Sequence, residues 1–223
     1  MSFQIAIDGP AGAGKSTIAK AVAKELSFVY VDTGAMYRAI GLACLRAGVD
    51  LDNEDAVSDY ADKTNVTIAY IDGEQAVILN DENVNGFIRT QEVGDAASKV
   101  SVYKRVREKL VALQQDLTRT TDVVMDGRDI ASTVLPNAQI KIYLDASVEV
   151  RAKRRYDEFI EKGKEADLAT IIEEVKERDY RDMHRDNSPL IRVPEATYID
   201  SSYMTIDEVV KEVISEAGKK QNG

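Results

Sequence analysis

The chain has 223 residues, 44% hydrophobic and 30% charged, the profile of an ordinary globular protein long enough for a substantial core. Its 39 acidic against 29 basic residues leave a formal charge of −10, which argues against a broad nucleic-acid footprint but not against small anions held by a local arginine pocket. The single cysteine, Cys44, excludes an intrachain disulfide framework, and no apolar run approaches the roughly 20 residues of a membrane span. With no secretory pattern at the N-terminus, the expectation is a cytoplasmic protein without membrane or nucleic-acid partners, a monomer because nothing points to an obligate interface.

Residues 3–26 read as a buried strand, a glycine-rich turn and a helix. Phe3, Ile5 and Ile7 alternate as a strand, and Ile18, Ala19, Val22, Ala23 and Leu26 recur at helical spacing. Between them stand Gly9, Pro10, Ala11, Gly12, Ala13, Gly14, Lys15, Ser16 and Thr17, which fit the phosphate-loop pattern G-x-x-x-x-G-K-[ST]. Glycines let backbone N–H groups turn inward around a phosphate, and the helix that follows adds its positive end. Lys15 can reach the terminal phosphates, and the Ser16 hydroxyl is placed to ligate Mg²⁺, with Asp8 and Asp126 as possible helpers through water. The flanking strand and helix are the context that the motif requires, so the chain is expected to bind a nucleoside triphosphate.

A short strand over 28–31 ends at Asp32-Thr33-Gly34. A helix over 35–47 closes at Gly48, and another spans 54–63. The period then changes: 66–71, 76–79 and a piece near Val84, joined by Asp72-Gly73 and the polar 80–83, predict a small antiparallel sheet inserted over about 64–86. Helices follow over 91–101 and 103–119, then a strand over 122–125 ending in Asp126-Gly127-Arg128-Asp129, and a strand over 140–144. A helix over 148–162 stops at Gly163, and a charged one covers 168–184. A last strand over 197–199 precedes a helix opened by the capping box Thr205-Ile206-Asp207-Glu208 and ending before Gly218, with a frayed tail over 218–223.

Strands alternating with helices predict an α/β fold, a five-stranded parallel sheet covered on both faces, with ligands at the carboxyl ends of the strands. That rule puts the phosphate loop, Asp32-Thr33-Gly34 and residues 126–129 on one rim. Arg178, Arg181 and Arg185 share a helical stripe, with Asp182 beside it; Arg151, Arg154 and Arg155 form a second; Arg38, Arg107 and Arg128 come from separate elements. An acidic chain has gathered planar phosphate-clamping donors. No guanine-reading N-K-x-D is present, and the one histidine, His184, sits on a charged helix. A kinase acting on a phosphate needs no base, only relief of repulsion between two anions, and this pattern matches it best.

The loop GPAGAGKST, the segments VDTGAMYRA and IRTQEV, the strand end DGRD, and KERDYRD followed by SPL together resemble bacterial-type cytidylate kinase, over nearly the whole chain. The resemblance implies transfer of the γ-phosphoryl group of ATP to CMP or dCMP with Mg²⁺ as cofactor. It implies one kinase domain over 1–223, with a nucleoside-monophosphate region over about 33–119 and a lid over about 150–188. By the same resemblance, residues 9–17 hold ATP, and Thr33, where the family often has serine, and Arg38 face the acceptor. Ser98, Arg107 and Asp129 read the cytosine, Arg128 contacts the phosphate, Arg178 and Asp182 approach the sugar, and Arg185 the phosphates. Arg154 belongs to the lid; Lys15, Arg128, Arg154 and Arg185 are the catalytic set. Two alternatives stay open: a phosphate-loop kinase for another small metabolite, and a nucleotide-binding regulator.

Overall fold

The computed structural model describes residues 2–221. Two compact units emerge, one comprising the chain up to Tyr30 and again from Thr121, the other Val31–Thr120. No helix among the described residues is long and apolar enough to cross a membrane.

The first unit is built on β1 (Gln4–Asp8), α1 (Lys15–Leu26), β2 (Val29–Asp32, whose last two residues open the second unit), β6 (Val123–Gly127), β7 (Ile140–Asp145), α6 (Val148–Glu161), α7 (Leu168–His184), β8 (Thr197–Asp200) and α8 (Ile206–Gln221). The strands form the expected five-stranded parallel sheet, in the order β2-β6-β1-β7-β8. Ile5 and Ile7 pair in register with Val124 and Asp126 on one side and with Ile140 and Ile142 on the other, so the loop after β1 leaves from the middle of the sheet. Ile18, Val22 and Ala23 of α1 and Val209, Val210 and Val213 of α8 pack with the sheet's isoleucines in one buried cluster. Crossover helices cover such a sheet because its strands are apolar on both faces.

The second unit contains α2 (Thr33–Ala47), α3 (Glu54–Lys63), the three antiparallel strands β3 (Val66–Ile71), β4 (Glu74–Leu79) and β5 (Glu82–Asn83), then α4 (Gln91–Val100) and α5 (Lys104–Leu117). Helix α2 is buried on nearly every side, as a helix at the centre of its unit must be. It crosses α4 closely: a Cβ on Gly41 would lie 2.9 Å from the Ala97 amide nitrogen, so only glycine fits. The inserted sheet turns at Asp72-Gly73 and again at Asn80-Asp81, all four with positive φ, the mirror-image turns that match strand twist. Its Gln75 side chain pairs with Asp32, accepting from the Asp32 N–H at 2.7 Å and donating to the Asp32 carbonyl at 3.2 Å, which ties the insertion to the start of α2.

Two expectations need correction. Helix α8 runs through Gly218 to Gln221 rather than ending before it, because the flanking Ala217, Lys219 and Lys220 are good helix formers and one glycine costs only about 1 kcal/mol; Asn222 and Gly223 lie outside the described residues. A π-helical turn over Ile130–Val134 follows β6 where no element was expected. Its cause is a tertiary contact, described below.

Candidate active site

The phosphate loop is shaped by its glycines. Gly9 has φ 149°, and a Cβ there would sit 1.9 Å from the Leu144 carbonyl oxygen of β7. Gly14, at φ 91°, caps α1 without a side chain. Lys15 is buried and its Nζ donates to the Pro10 carbonyl at 2.7 Å. Burial, followed by the nearby Arg128 charge, pulls its pKa well below the usual lysine range, against Asp126, Asp182 and Asp8, which favour the charged form. The Ser16 hydroxyl donates to Asp126 Oδ2 at 2.9 Å. Thr17 is exposed and lines a cavity with Ile18, Arg154, Met204, Ile206 and Val209. The 201–206 wall of that cavity escaped the sequence reading, although ligands at strand carboxyl ends would have nominated the loop after β8.

Asp8 accounts for the unexpected π turn. Its two oxygens accept from the Ile130 and Ala131 N–H groups, each at 2.8 Å, and so fix the chain just after Asp129. Asp8 is therefore a clasp for that turn, while Asp126 is the carboxylate beside Ser16. Burial pushes the Asp8 pKa up from 3.8 to about 6, despite the two N–H donors and Lys15 that oppose the rise, with Asp129 adding to it. Because the folded value lies above the unfolded one, folding takes up a proton between these pH values. Stability attributable to Asp8 is full below pH 3.8 and is lost as pH rises to about 6, by about 3 kcal/mol in all. Denaturant midpoints of wild type minus Asp8→Asn across that window should show this fall; a flat difference would remove it. Buried Asp182 contributes the opposite slope: burial raises its pKa, but Arg128, Arg178 and Arg185 outweigh burial and hold it low.

Round Asp182 the structure gathers most of the first unit's predicted acceptor-site residues. Arg128 Nε donates to Asp182 Oδ2 at 2.9 Å, and its Nη1 reaches the Gly127 carbonyl at 3.2 Å. Arg185 Nη2 lies 3.6 Å from Asp129 Oδ1 and is held through Nε and Nη2 on the Ser188 carbonyl, at 2.8 and 2.6 Å. Arg185 stands one residue beyond α7, so it is not part of a helical stripe. Arg181 turns outward to Glu177, as an exposed i, i+4 pair. Arg151 is structural: buried, it clasps Asp179 at 3.0 and 2.6 Å and donates to the Ala11 and Ala146 carbonyls. Arg155 pairs with Glu174 at 3.1 Å. Arg154 also borders the phosphate loop, with Nη2 on the Ser201 carbonyl at 2.9 Å and Nη1 reaching the Gly12 carbonyl at 3.4 Å, but unlike Arg151 it clasps no buried carboxylate. His184 stacks on exposed Tyr180.

In the second unit Thr33 is buried at the first position of α2, whose cap is Asp32, accepting from Ala35 N–H at 3.0 Å and from Arg89 at 2.8 Å. Arg38 donates to the Ile88 carbonyl at 3.0 Å and lies flat against Gly94, where a Cβ would meet its Nη1 at 3.1 Å. Ser98 and Arg107 are buried. The Arg107 guanidinium lies 5.4 Å from the Tyr37 ring centre and donates to the Ser101 carbonyl at 3.0 Å, while Ser101 Oγ donates to the Ser98 carbonyl at 3.0 Å. Cys44 is fully buried, and burial pushes its thiol up to about 11, as a packing residue's should be.

A family model described as Cytidylate kinase matches residues 5–219. A protein named cytidylate kinase from Lactobacillus gasseri is 48% identical over 219 residues, 98% of this chain and 95% of its own. Another of that name, from Caldicellulosiruptor saccharolyticus, is 49% identical over 212 residues, 95% of this chain and 94% of its own. The crystal structure of an uncharacterized protein from Eubacterium ventriosum shares the fold, with a TM-score of 0.52 at 11% identity over 96% of this chain and 97% of that one.

Proposed function

The chain belongs to the cytidylate kinase family, and on that premise we propose that it transfers the γ-phosphoryl group of ATP to CMP or dCMP, giving ADP and CDP or dCDP. The observation that carries the reading is the cluster Arg128, Arg178 and Arg185 around buried Asp182, in the same unit as the phosphate loop. Such a cluster suits an acceptor that is itself a phosphate. An oxygen of the acceptor phosphate attacks the γ-phosphorus, the bond to the ADP oxygen breaks, and no proton has to be removed first. What the protein supplies is position and positive charge.

Each residue then has a task. The loop over 9–17 wraps the triphosphate with its N–H groups, and Lys15 stabilises the terminal phosphates. Ser16 Oγ and the Asp126 carboxylate are hard oxygen donors side by side, a set suited to Mg²⁺, which takes its remaining ligands from water and phosphate. These two would hold it. When bound there, Mg²⁺ neutralises charge on the reacting phosphates. Arg128 and Arg185 take the acceptor phosphate and the transferring group, Arg178 and Asp182 the sugar hydroxyls, and Arg154, with the helix pair α6–α7 as a lid, the donor side. In the second unit Arg38 and Thr33 are assigned to face the acceptor, Arg38 at its phosphate, and Arg107 with Ser98 to read its base. The catalytic set is Lys15, Arg128, Arg154 and Arg185. All of these groups belong to one chain, and a monomer acting on small nucleotides is the corresponding assembly.

Base selection follows from Asp129. A carboxylate accepts from the cytosine amino group, whereas uracil offers a carbonyl at that place and is repelled. Initial rates of ADP formation from Mg-ATP should therefore be high with CMP and dCMP, low with UMP, and at the acceptor-free level with AMP and GMP. Rates that do not exceed the acceptor-free control with any of the five would discard the activity.

A further inference from the structure

Asp126 is held by two hydroxyl donors, one on each oxygen. Ser16 Oγ donates to Oδ2 at 2.9 Å, and the Tyr30 hydroxyl donates to Oδ1 at 2.9 Å. Asp126 is 4% exposed, so the accepting end of both bonds is shielded from bulk water. The Tyr30 ring, on β2, packs against the core of the first unit, and Lys20 Nζ lies 5.7 Å from its centre on the exposed side. Packing thus fixes the ring, and the hydroxyl at its tip is what reaches the carboxylate. Nothing in the phosphate-loop pattern asks for a tyrosine on this strand.

A carboxylate on one hydrogen bond can still swing, because its terminal torsion is broad and nearly two-fold. Donors on both oxygens fix its plane. With Tyr30 on Oδ1, Oδ2 is committed to the Ser16 proton, and the Ser16 oxygen lone pairs face away from the carboxylate. We propose that Tyr30 is a positioning residue for the cation that accompanies ATP: its hydroxyl orients Asp126, and Asp126 in turn orients Ser16. This rests on the donor-site reading above. Outer partners of metal-ligating groups are commonly worth about 10–100-fold in metal affinity.

The test is binding of ATP by isothermal titration calorimetry, once in excess Mg²⁺ and once in EDTA, to wild type, Tyr30→Phe, Asp126→Asn and the double variant. Tyr30→Phe removes one oxygen and keeps the ring, so the packing that folds β2 is retained. The ratio of the two affinities should fall by about tenfold or more in Tyr30→Phe, with the affinity in EDTA unchanged. In the Asp126→Asn background the same substitution should be silent. An unchanged ratio, equal losses in both buffers, or a full effect without Asp126 would overturn the proposal. Failure of the wild-type protein to bind ATP in either buffer would overturn the donor-site reading, and this inference with it.

Discussion

Arg128→Ala should lower turnover of CMP by about 10²–10³-fold, the range found when one preorganised donor to a developing charge is removed. The residue directly follows β6, next to the turn that Asp8 clasps, and Asp182 aligns its guanidinium through Nε. The same contact gives the substitution a structural cost. Truncating one member of a buried ion pair costs about 3–5 kcal/mol when the other is left alone. Asp182 is not left alone, since Arg178 and Arg185 also act on it, so the loss should fall below that range. Arg128→Lys separates the two effects. It keeps a cation near Asp182 but loses the planar fork, so melting temperature should recover while turnover stays low. Near-wild-type turnover in a folded Arg128→Ala variant would remove Arg128 from the site.

Gly9→Ala should abolish the fold, or cost more than about 4 kcal/mol in a denaturant titration. The new Cβ would meet the Leu144 carbonyl oxygen at 1.9 Å and its carbon at 3.0 Å. Those are backbone atoms of β7, which pairs with β1 on one side and β8 on the other, so the strand has nowhere to yield. Gly14→Ala is the contrast. Its φ of 91° strains any side chain, but the nearest atom is the flexible Arg154 tip at 4.0 Å. That variant should fold with a loss of about 1–2 kcal/mol, the usual penalty of left-handed backbone, and show its defect in ATP affinity. A Gly9→Ala protein with the wild-type denaturation midpoint would refute the close-approach argument.

Much of the architecture was legible without coordinates, because its causes are local. The helices Glu54–Lys63 and Leu168–His184 and the strand Val66–Ile71 lie where periodicity and caps put them. The Thr205–Glu208 box forms as written, with Glu208 Oε2 accepting from the Thr205 N–H and hydroxyl at 2.8 Å each and the Glu208 N–H donating to Thr205 Oγ1 at 3.3 Å. The phosphate loop was legible for the same reason, since residue types within one turn of chain dictate its shape.

What one-dimensional spacing could not decide was the work of each arginine. Arg151 and Arg154 are three residues apart on one helix. Both reach the phosphate loop, at the Ala11 and Gly12 carbonyls, but the first is also locked in a buried pair with Asp179, 28 positions away, while the second is held on the Ser201 carbonyl. Asp8 was readable as a carboxylate beside a phosphate loop. Only folding shows that both its oxygens are engaged 122 and 123 positions later, leaving Asp126 as the acid that faces Ser16. The sequence by itself determined the loop, the order of strands and helices along the chain, and the family. Tertiary structure decided which charged groups are buried, and with whom. The physical reason is that a charge's environment is set by groups brought near it in space, and their separation along the chain carries no trace of that meeting.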